Sequence, residues 1–230
     1  MDKIVRVIIP AFNEENAVGK VIDEIPKAIV TEIIVVNNNS NDETKTVAKK
    51  HGATVLDEPQ QGYGRACLKG INYLKSLKNQ TDIIVFLDAD YSDYPGELTQ
   101  VIAHILYEGK DLVIGSRKTG LKEKKSMTPQ QVFGNRLATF LIKLLYNIEF
   151  TDLGPFRAIK YDQLIALNMK DKTYGWTVEM QVKAAKQKMD ICEVPVNYKV
   201  RIGKSKVSGT LKGTVLAGYK IITTIFKELF

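Results

Sequence analysis

Cysteine and histidine are both scarce in this chain of 230 residues, which contains two of each. Cys67 and Cys192 lie far apart and form no CxxC pair, which argues against a disulfide framework and a cysteine-ligated zinc site. With only His51 and His104, histidine-rich metal chemistry is also disfavoured. The low cysteine content favours a reducing compartment.

Long apolar runs are missing too. No uncharged apolar run reaches the roughly 18 residues that a membrane-spanning helix needs, and residues 1–4 lack the features of a signal peptide. We therefore expect a cytoplasmic protein. Hydrophobic residues make up 44% and charged residues 26% of the chain, which excludes a disordered chain, a collagen or a coiled coil. The length suits one domain, with or without a short appendage.

The formal net charge of +7 is unevenly distributed. Residues 1–115 carry a net charge of −5, whereas residues 116–230 carry +12. Such a basic half is compatible with an ordinary solvated surface, a nucleic acid partner, an anionic membrane face or phosphate-bearing ligands. Charge alone does not choose between these four interpretations, but the asymmetry indicates that the two halves have different roles.

Short apolar runs alternate with helical patterns through the first half. This alternation predicts an α/β fold with a mostly parallel sheet covered by helices on both faces. The predicted strands cover residues 5–9, 33–36, 54–56, 83–87, 111–115 and 193–198. The predicted helices cover about 14–29, 41–51, 62–77, 95–107, 128–148, 177–187 and 214–230.

Two of the predicted helices carry an apolar stripe. The first stripe is interpreted as core, with a membrane-facing surface as the minority interpretation; it consists of Phe133, Leu137, Phe140, Leu141, Leu144 and Ile148. The amphipathic helix over 214–230 is expected to dock on its own domain, with a membrane interface or a second subunit as alternatives. Thr128, Pro129 and Gln131 predict a capping box at the start of the helix over 128–148.

Polar groups follow the ends of four predicted strands. In an open parallel sheet these ends share one edge, where ligands bind at the point of reversed strand order. The four strand-end segments are residues 10–14, 37–40, 88–90 and 115–117. Of these, Asp88-Ala89-Asp90 is the strongest candidate for a chemical role, because two carboxylates one residue apart repel each other unless a cation lies between them. Mg²⁺ or Mn²⁺ with substrate phosphates in its shell would satisfy the pair.

Glycine-rich nucleotide motifs are absent. Gly62-Tyr63-Gly64 is not a GxGxxG fingerprint and does not follow the first strand, and no P-loop motif occurs. Arg65, beside Gly64, either contacts a phosphate or base or belongs to an ordinary loop.

Several ordered motifs resemble the family 2 glycosyltransferases with a GT-A fold. In the first half these are residues 7–15, 37–44, 62–64 and 88–90. In the second half, residues 115–117, 151–157, 193–196 and 201–206 look like the branch that synthesises dolichyl-phosphate and polyprenyl-phosphate sugars. The resemblance implies one glycosyltransferase domain with a nucleotide-sugar half (1–117), an acceptor half (118–213) and a terminal helix (214–230).

The resemblance also implies roles for individual residues. Asp88 and Asp90 are expected to hold the metal, with Asp90 also assigned to catalysis. Residues expected around the nucleotide are Pro10, Ala11, Asn13, Glu14, Asn37, Asn38, Ser40, Gly64, Arg65, Asp88 and Ala89.

The chain departs from the family pattern at the second strand end, where Asn37-Asn38 replaces the usual Asp-Asp. An amide both donates and accepts hydrogen bonds, whereas a carboxylate only accepts them. Uracil offers one donor flanked by acceptors, so we favour a UDP-sugar over GDP-mannose. Ser92 stands where mannose synthases typically carry Gln, which leaves a third metal ligand in doubt.

The chemistry of the acceptor decides whether a base is needed. A lipid phosphate is already anionic near pH 7 and requires cations, for which the candidates are Arg117, Arg157, Arg201, Lys204 and Lys206, with Ser205 beside them. A hydroxyl acceptor needs a general base, for which Asp152 and Glu179 are the candidates. An inverting transfer to polyprenyl phosphate is the leading hypothesis, and transfer to a saccharide or small metabolite is the alternative.

Two remote alternatives come from other functional classes. A nucleotidyltransferase would carry a basic, glycine-rich loop after the first strand, which residues 10–15 lack. A binding module for nucleic acid is disfavoured because no such motif occurs and the acidic half would repel a phosphate backbone. An oligomer and a peripheral contact with an anionic membrane remain open.

Overall fold

The computed structural model describes residues 3–78, 80–203, 205 and 211–229, of which 211 and 212 are described only as part of a helix. Its centre is a seven-stranded sheet with the order β3-β2-β1-β4-β6-β5-β7. The strands are β1 (Val5–Ala11), β2 (Glu32–Asn37), β3 (Thr54–Asp57), β4 (Ile83–Phe86), β5 (Leu112–Ser116), β6 (Arg157–Lys160) and β7 (Ile191–Pro195).

The helices cover both faces of this sheet, as the alternation predicts. They are α1 (Val18–Glu24), α2 (Thr44–Lys50), α3 (Tyr63–Ser76), α4 (Leu98–Glu108), α5 (Pro129–Tyr146), α6 (Tyr161–Leu167), α7 (Trp176–Lys186) and α8 (Leu211–Lys227). Successive residues of a strand point to opposite faces, so Val7 and Ile9 pack with α1, α2 and α4, whereas Ile8 packs with the remaining helices. Both layers bury continuous apolar surface.

Strand β6 and helix α6 are missing from the sequence prediction. β6 lies between β4 and β5 and runs antiparallel to both, so it interrupts the parallel half of the sheet. Its four residues include Arg157 and Lys160, and this short charged sequence has none of the apolar continuity of the other strands. The helix predicted over about 14–29 contains Pro26, which is expected to kink or end it. Helix α1 does end early, at Glu24, because proline disfavours helical geometry in the residue before it.

Helix α5 begins where the sequence predicts, but part of its apolar stripe is exposed instead of buried. The capping box is present, with Thr128 N donating to Gln131 Oε1 at 2.8 Å and Gln131 N donating to Thr128 Oγ1 at 3.3 Å. Ala138 and Ile142 are its buried residues, whereas Phe133, Phe140 and Leu144 are 70%, 59% and 67% exposed. The interpretation of the stripe as core is therefore wrong for these three residues, whereas Leu141 and Ile148 of the same stripe are partly buried and pack against the core.

Helix α8 docks on the protein, as expected, and packs against α5 and α7. It begins three residues earlier than predicted and buries Ile225, while Val215, Leu216, Tyr219 and Phe226 stay exposed. Within the described residues, no helix has the length and apolar character needed to cross a membrane.

Candidate active site

A cavity of about 300 Å³ opens where the strand order reverses. β1 pairs with β2 on one side and with β4 on the other, so the loops that follow β1 and β4 diverge and leave a crevice. We call this the first cavity. It is lined by Pro10, Ala11, Phe12, Glu14, Asn38, Gln61, Gly62, Tyr63, Asp88, Ala89, Asp90, Tyr174, Arg201 and Ser205.

The two carboxylates after β4 lie together in its wall. Asp88 accepts a hydrogen bond from the Tyr63 hydroxyl at 3.1 Å, and Asp90 accepts from Ser92 N at 3.0 Å and from Ser92 Oγ at 2.5 Å. Burial and then the neighbouring charge of Asp90 raise the pKa of Asp88 to about 7. A bound cation would oppose this effect, so the pair fits a divalent metal with oxygen ligands.

The protein supplies only part of a metal shell. Among the described residues no cluster of three or more His, Cys, Asp or Glu side chains could hold a metal. Mg²⁺ and Mn²⁺ commonly complete such a shell with substrate phosphates and water. The two carboxylates therefore fit a metal that arrives together with a phosphorylated ligand.

Arg201 crosses the first cavity from the second half of the chain. Its Nη2 lies 2.6 Å from Glu14 Oε1, and its Nη1 lies 3.0 Å from Asp90 Oδ2. The guanidinium thus joins the loop after β1 to the loop after β4. Of the residues predicted to bind an acceptor, Arg201 and Ser205 are in this wall, whereas Lys204 and Lys206 lie outside the described residues.

The asparagines after β2 hold loops together. Asn38 lines the first cavity, but its Nδ2 donates to the carbonyl oxygens of Glu58 (3.2 Å) and Gln60 (2.8 Å), and its Oδ1 accepts from Gly62 N at 2.7 Å. Asn37 Nδ2 donates to Asp57 Oδ1 at 3.0 Å. Asn38 Nδ2 thus uses both of its hydrogens within the loops and has none left for a base, whereas its amide oxygen can accept one further bond. This weakens the donor side of the uracil argument.

Asn13 and Ser40 have a related role. Asn13 N donates to Ser40 Oγ at 3.0 Å, and Asn41 N donates to Asn13 Oδ1 at 2.8 Å. These bonds fasten the loop after β1 to the loop after β2, and neither Asn13 nor Ser40 lines the cavity wall.

The glycines of the Gly62-Tyr63-Gly64 motif permit close backbone approach. Gly64 N donates to the Thr173 carbonyl at 3.2 Å and Arg65 N to the Lys172 carbonyl at 3.1 Å. A Cβ on Gly64 would lie well inside contact distance of the Asp171 carbonyl oxygen. The motif therefore serves packing against residues 171–173, which brings Tyr174 into the cavity wall, and Arg65 does not line it.

This packing predicts that Gly64→Ala lowers stability. Backbone must move to admit the methyl group, so we expect a loss of about 1–3 kcal/mol and a melting temperature lower by roughly 2–10 °C in thermal unfolding. Gly96→Ala is the matched control, because a Cβ there meets nothing within 4 Å. Equal melting temperatures for the two variants would contradict the packing role.

A second cavity of about 560 Å³ adjoins the first. The two share Asp88, Asp90, Arg201 and Ser205, so the carboxylate pair lies at their junction. We call it the second cavity. Its other lining residues come chiefly from α5, α8 and the loop before α5, namely Arg117, Lys125, Ser126, Met127, Thr128, Gln130, Gln131, Gly134, Asn135, Leu153, Thr177, Tyr198, Val200, Thr214, Ala217 and Ile221.

Arg117 in this wall is held by a buried carboxylate. Its Nε and Nη2 donate to Asp152 at 2.8 and 2.7 Å, and its guanidinium stacks 5.1 Å from the centre of the Tyr198 ring. Burial opposes ionisation of both groups, but each charge stabilises the other, so the pKa of Asp152 is lowered and that of Arg117 is raised. Asp152 is thus a paired anion and not a free base.

Two predicted site residues are in the wrong place for their assigned roles. Arg157 is fully buried and donates to the carbonyls of Gly154 and Thr177, so it is out of reach of an acceptor phosphate. Glu179 is 2% exposed, accepts from the backbone N–H groups of Lys170 and Asp171, and lines neither cavity. Both side chains are engaged by backbone groups, so Arg157 is not available to bind an acceptor phosphate and Glu179 is not available as a general base.

The family model described as glycosyl transferase family 2 matches residues 6–165, well over half of the chain. The chain belongs to glycosyl transferase family 2. Its sheet, helices and structural neighbours identify the GT-A fold, and the protein is a glycosyltransferase. These findings confirm the fold and enzyme class expected from the strand-end motifs.

The relatives of this glycosyltransferase include one of uncharacterised function and others that are named by their substrates. An uncharacterised glycosyltransferase of Mycobacterium tuberculosis is 34% identical over 93% of this chain and 94% of its own length. The UDP-N-acetylglucosamine–dolichyl-phosphate N-acetylglucosaminyltransferase of Methanococcus voltae is 30% identical over 96% and 94%. Among solved structures, glucosyl-3-phosphoglycerate synthase of M. tuberculosis, crystallised with Mn²⁺, UDP and phosphoglyceric acid, has a TM-score of 0.77 at 21% identity over 99% and 78%.

Four residues near the candidate site of this glycosyltransferase were not identified by the sequence analysis. Tyr63 and Tyr198 contact Asp88 and Arg117, and Glu193 accepts from the N–H groups of Thr151 and Asp152, which orients Asp152. Asp93 is 2% exposed, and neither of its oxygens has a hydrogen-bond partner among the described residues. Tyr63 and Glu193 lie in motifs that carry the family resemblance, which is the signal that could have found them. The others depend on contacts between distant segments.

Proposed function

We propose that this glycosyltransferase moves a hexose from a UDP-sugar to the phosphate of a polyprenyl or dolichyl lipid, with Mg²⁺ or Mn²⁺ and with inversion at the sugar. The observation that carries the proposal is the composition of the second cavity. Its wall contains the guanidinium of Arg117, and its carboxylates among the described residues are Asp88 and Asp90, which belong to the metal pair. The cavity thus offers cations to an acceptor but no spare base.

A phosphate acceptor needs no base, because its oxygen is anionic near pH 7. Asp152 occupies Nε and Nη2 of Arg117, which leaves Nη1 to donate to an acceptor oxygen. Arg201, which borders both cavities, can contact the donor diphosphate and the acceptor. A hydroxyl acceptor is less well served, since Asp152 and Glu179 are both committed to other partners.

In the donor half, residues 1–117, the first cavity would hold the nucleotide sugar. Asp88 and Asp90 are the residues that would hold the metal. When bound, a divalent cation neutralises charge on the departing diphosphate. The preference for uridine is supported by the name of the Methanococcus voltae relative, which uses a UDP-sugar and a dolichyl phosphate.

In the acceptor half, the second cavity also suits a lipid. Its wall includes the apolar side chains of Met127, Leu153, Val200, Ala217 and Ile221. The two helices that line it, α5 and α8, expose further apolar residues, among them Phe133, Phe140 and Tyr219. We extend the proposal to peripheral contact of these helices with an anionic membrane, which the +12 charge of residues 116–230 favours.

Calorimetric titration with UDP, GDP and CMP in the presence of Mn²⁺ tests the donor. We expect UDP to bind at least about tenfold more tightly than GDP, a difference of ~1.4 kcal/mol. Omission of Mn²⁺ should remove most of the UDP affinity. Preferential binding of GDP would overturn the uridine assignment without affecting the lipid acceptor.

Vesicle flotation tests the membrane contact. The double variant Phe133→Glu/Phe140→Glu is expected to reduce binding to anionic vesicles at least tenfold, since burial of each ring contributes about 1.5–3 kcal/mol. Tyr107→Glu is the matched control, because Tyr107 is 85% exposed on α4, which covers the opposite face of the sheet. If the control lowers binding as much, the contact does not involve α5.

A further inference from the structure

A cluster of aromatic rings and charges lies just outside the two cavities. It consists of Tyr91, Tyr94, Lys199 and Glu24, none of which lines either cavity. Lys199 Nζ lies 3.2 Å from the centre of the Tyr91 ring and 4.4 Å from that of Tyr94. Glu24 accepts a hydrogen bond from the Tyr91 hydroxyl and lies 3.9 Å from Lys199 Nζ. The ammonium is therefore held on three sides.

The backbone of Tyr91 is strained in this position. It directly follows Asp90 and has φ of +62°, in the left-handed region that bulky residues rarely adopt. Such strain persists only where the surroundings enforce it, and it is concentrated at functional sites. Here the surroundings are the ammonium of Lys199 and the carboxylate of Glu24.

Lys199 belongs to the segment that carries Arg201. Lys199 N donates to the Ser92 carbonyl at 2.9 Å, and Ile202 N donates to the Asp90 carbonyl at 3.0 Å. This segment therefore runs along residues 90–93 and delivers Arg201 to Asp90 and Glu14. The cluster and the guanidinium lie two residues apart on the same short stretch.

We infer that Lys199, clamped between Tyr91 and Tyr94, is a positioning residue that fixes Arg201 at the junction of the cavities. The inference rests on the proposed role of Arg201 in transfer. Lys199 itself touches neither substrate. It acts by restricting the backbone conformation of residues 199–202, so that the Arg201 guanidinium is already in position to contact the donor diphosphate and the acceptor.

The kinetic test is a double-mutant cycle with Lys199→Ala and Arg201→Ala. We expect Lys199→Ala to lower kcat/KM for the acceptor by roughly 10- to 30-fold, and to have no further effect when Arg201 is already Ala. Lys199→Arg keeps a cation over the rings and should restore most of the activity. Lys110→Ala, which removes a surface pair with Asp190, is the control that should change nothing.

Hydrogen exchange gives a readout that needs no acceptor. The peptide containing the Ile202 amide should exchange at least tenfold faster in Lys199→Ala, and at the wild-type rate in Lys199→Arg. Unchanged exchange in Lys199→Ala would overturn the inference, as would an undiminished effect of Lys199→Ala in the Arg201→Ala background. If the wild type transfers no sugar to a lipid phosphate, the proposed function fails while the exchange experiment still decides the positioning role.

Discussion

Asp88→Asn is expected to abolish metal-dependent sugar transfer while making the metal-free protein more stable. Asp88 and Asp90 share one wall of the first cavity, and burial and their mutual repulsion raise the pKa of Asp88 to about 7. The amide removes this cost and still accepts the hydrogen bond from Tyr63. We expect transfer to fall at least about 1000-fold and the melting temperature in chelator to rise by roughly 2–6 °C.

The sign of the pH dependence follows from the raised pKa. The ordinary pKa of an aspartate in the unfolded chain is about 3.9, so the cost of an ionised Asp88 is fully present above about pH 7 and declines steadily as the pH falls from about 7 to about 4. The stability advantage of Asp88→Asn should therefore shrink over that interval. Asp93→Asn is the matched control, since Asp93 is also buried with a raised pKa but lines neither cavity. It should keep Mn²⁺-dependent UDP binding. Loss of that binding in both variants would show a general electrostatic effect.

Arg117→Ala should have the second largest effect and a different signature. It removes a cation from the second cavity and leaves Asp152 buried without its partner, so we expect destabilisation of about 3–5 kcal/mol. Use of a lipid phosphate should fall at least about 100-fold, whereas calorimetric binding of UDP with Mn²⁺ at low temperature should stay within a few-fold. Arg117→Lys should recover little activity, because an ammonium cannot make the bidentate contact to Asp152 and still reach the acceptor.

Folding and acceptor use can be separated with a second substitution. The pair Arg117→Met/Asp152→Leu replaces the ion pair by apolar residues of similar size and should regain most of the lost stability. Its lipid-phosphate activity should remain as low as that of Arg117→Ala. Recovery of activity together with stability would show that Arg117 has only a structural role.

The parallel half of the fold could be predicted because each of its strands and helices has a recognisable local sequence pattern. The strands up to β5 are apolar runs that end in polar loops, and the helices between them have a clear helical periodicity of apolar residues. β6 was missed because its burial depends on an arginine that hydrogen-bonds to backbone carbonyls after folding. The exposed part of the α5 stripe was misassigned as core, since an apolar stripe does not reveal how much of it the protein covers.

The candidate site shows the same division. The strand-end rule placed Asp88, Asp90 and Glu14 correctly in one wall, because topology alone brings strand ends together. The sequence could not distinguish Arg117, whose side chain borders a cavity, from Arg157, whose side chain is buried in the core, since both are arginines in motifs that carry the family resemblance. Nor could it show that the amides of Asn37 and Asn38 are committed to loop carbonyls and to Asp57. Such competition for partners is set by contacts between distant segments.

The central claim is that the acceptor is a phosphate oxygen on a lipid, and one paired assay tests it most directly. The enzyme is incubated with a radiolabelled UDP-sugar, Mn²⁺ and either a polyprenyl phosphate or the polyprenol with the same chain. The account predicts labelled lipid only with the phosphate, because the described residues of the second cavity provide cations and no free base. Equal labelling of the polyprenol, or labelling of a water-soluble acceptor with none of the lipid phosphate, would contradict it.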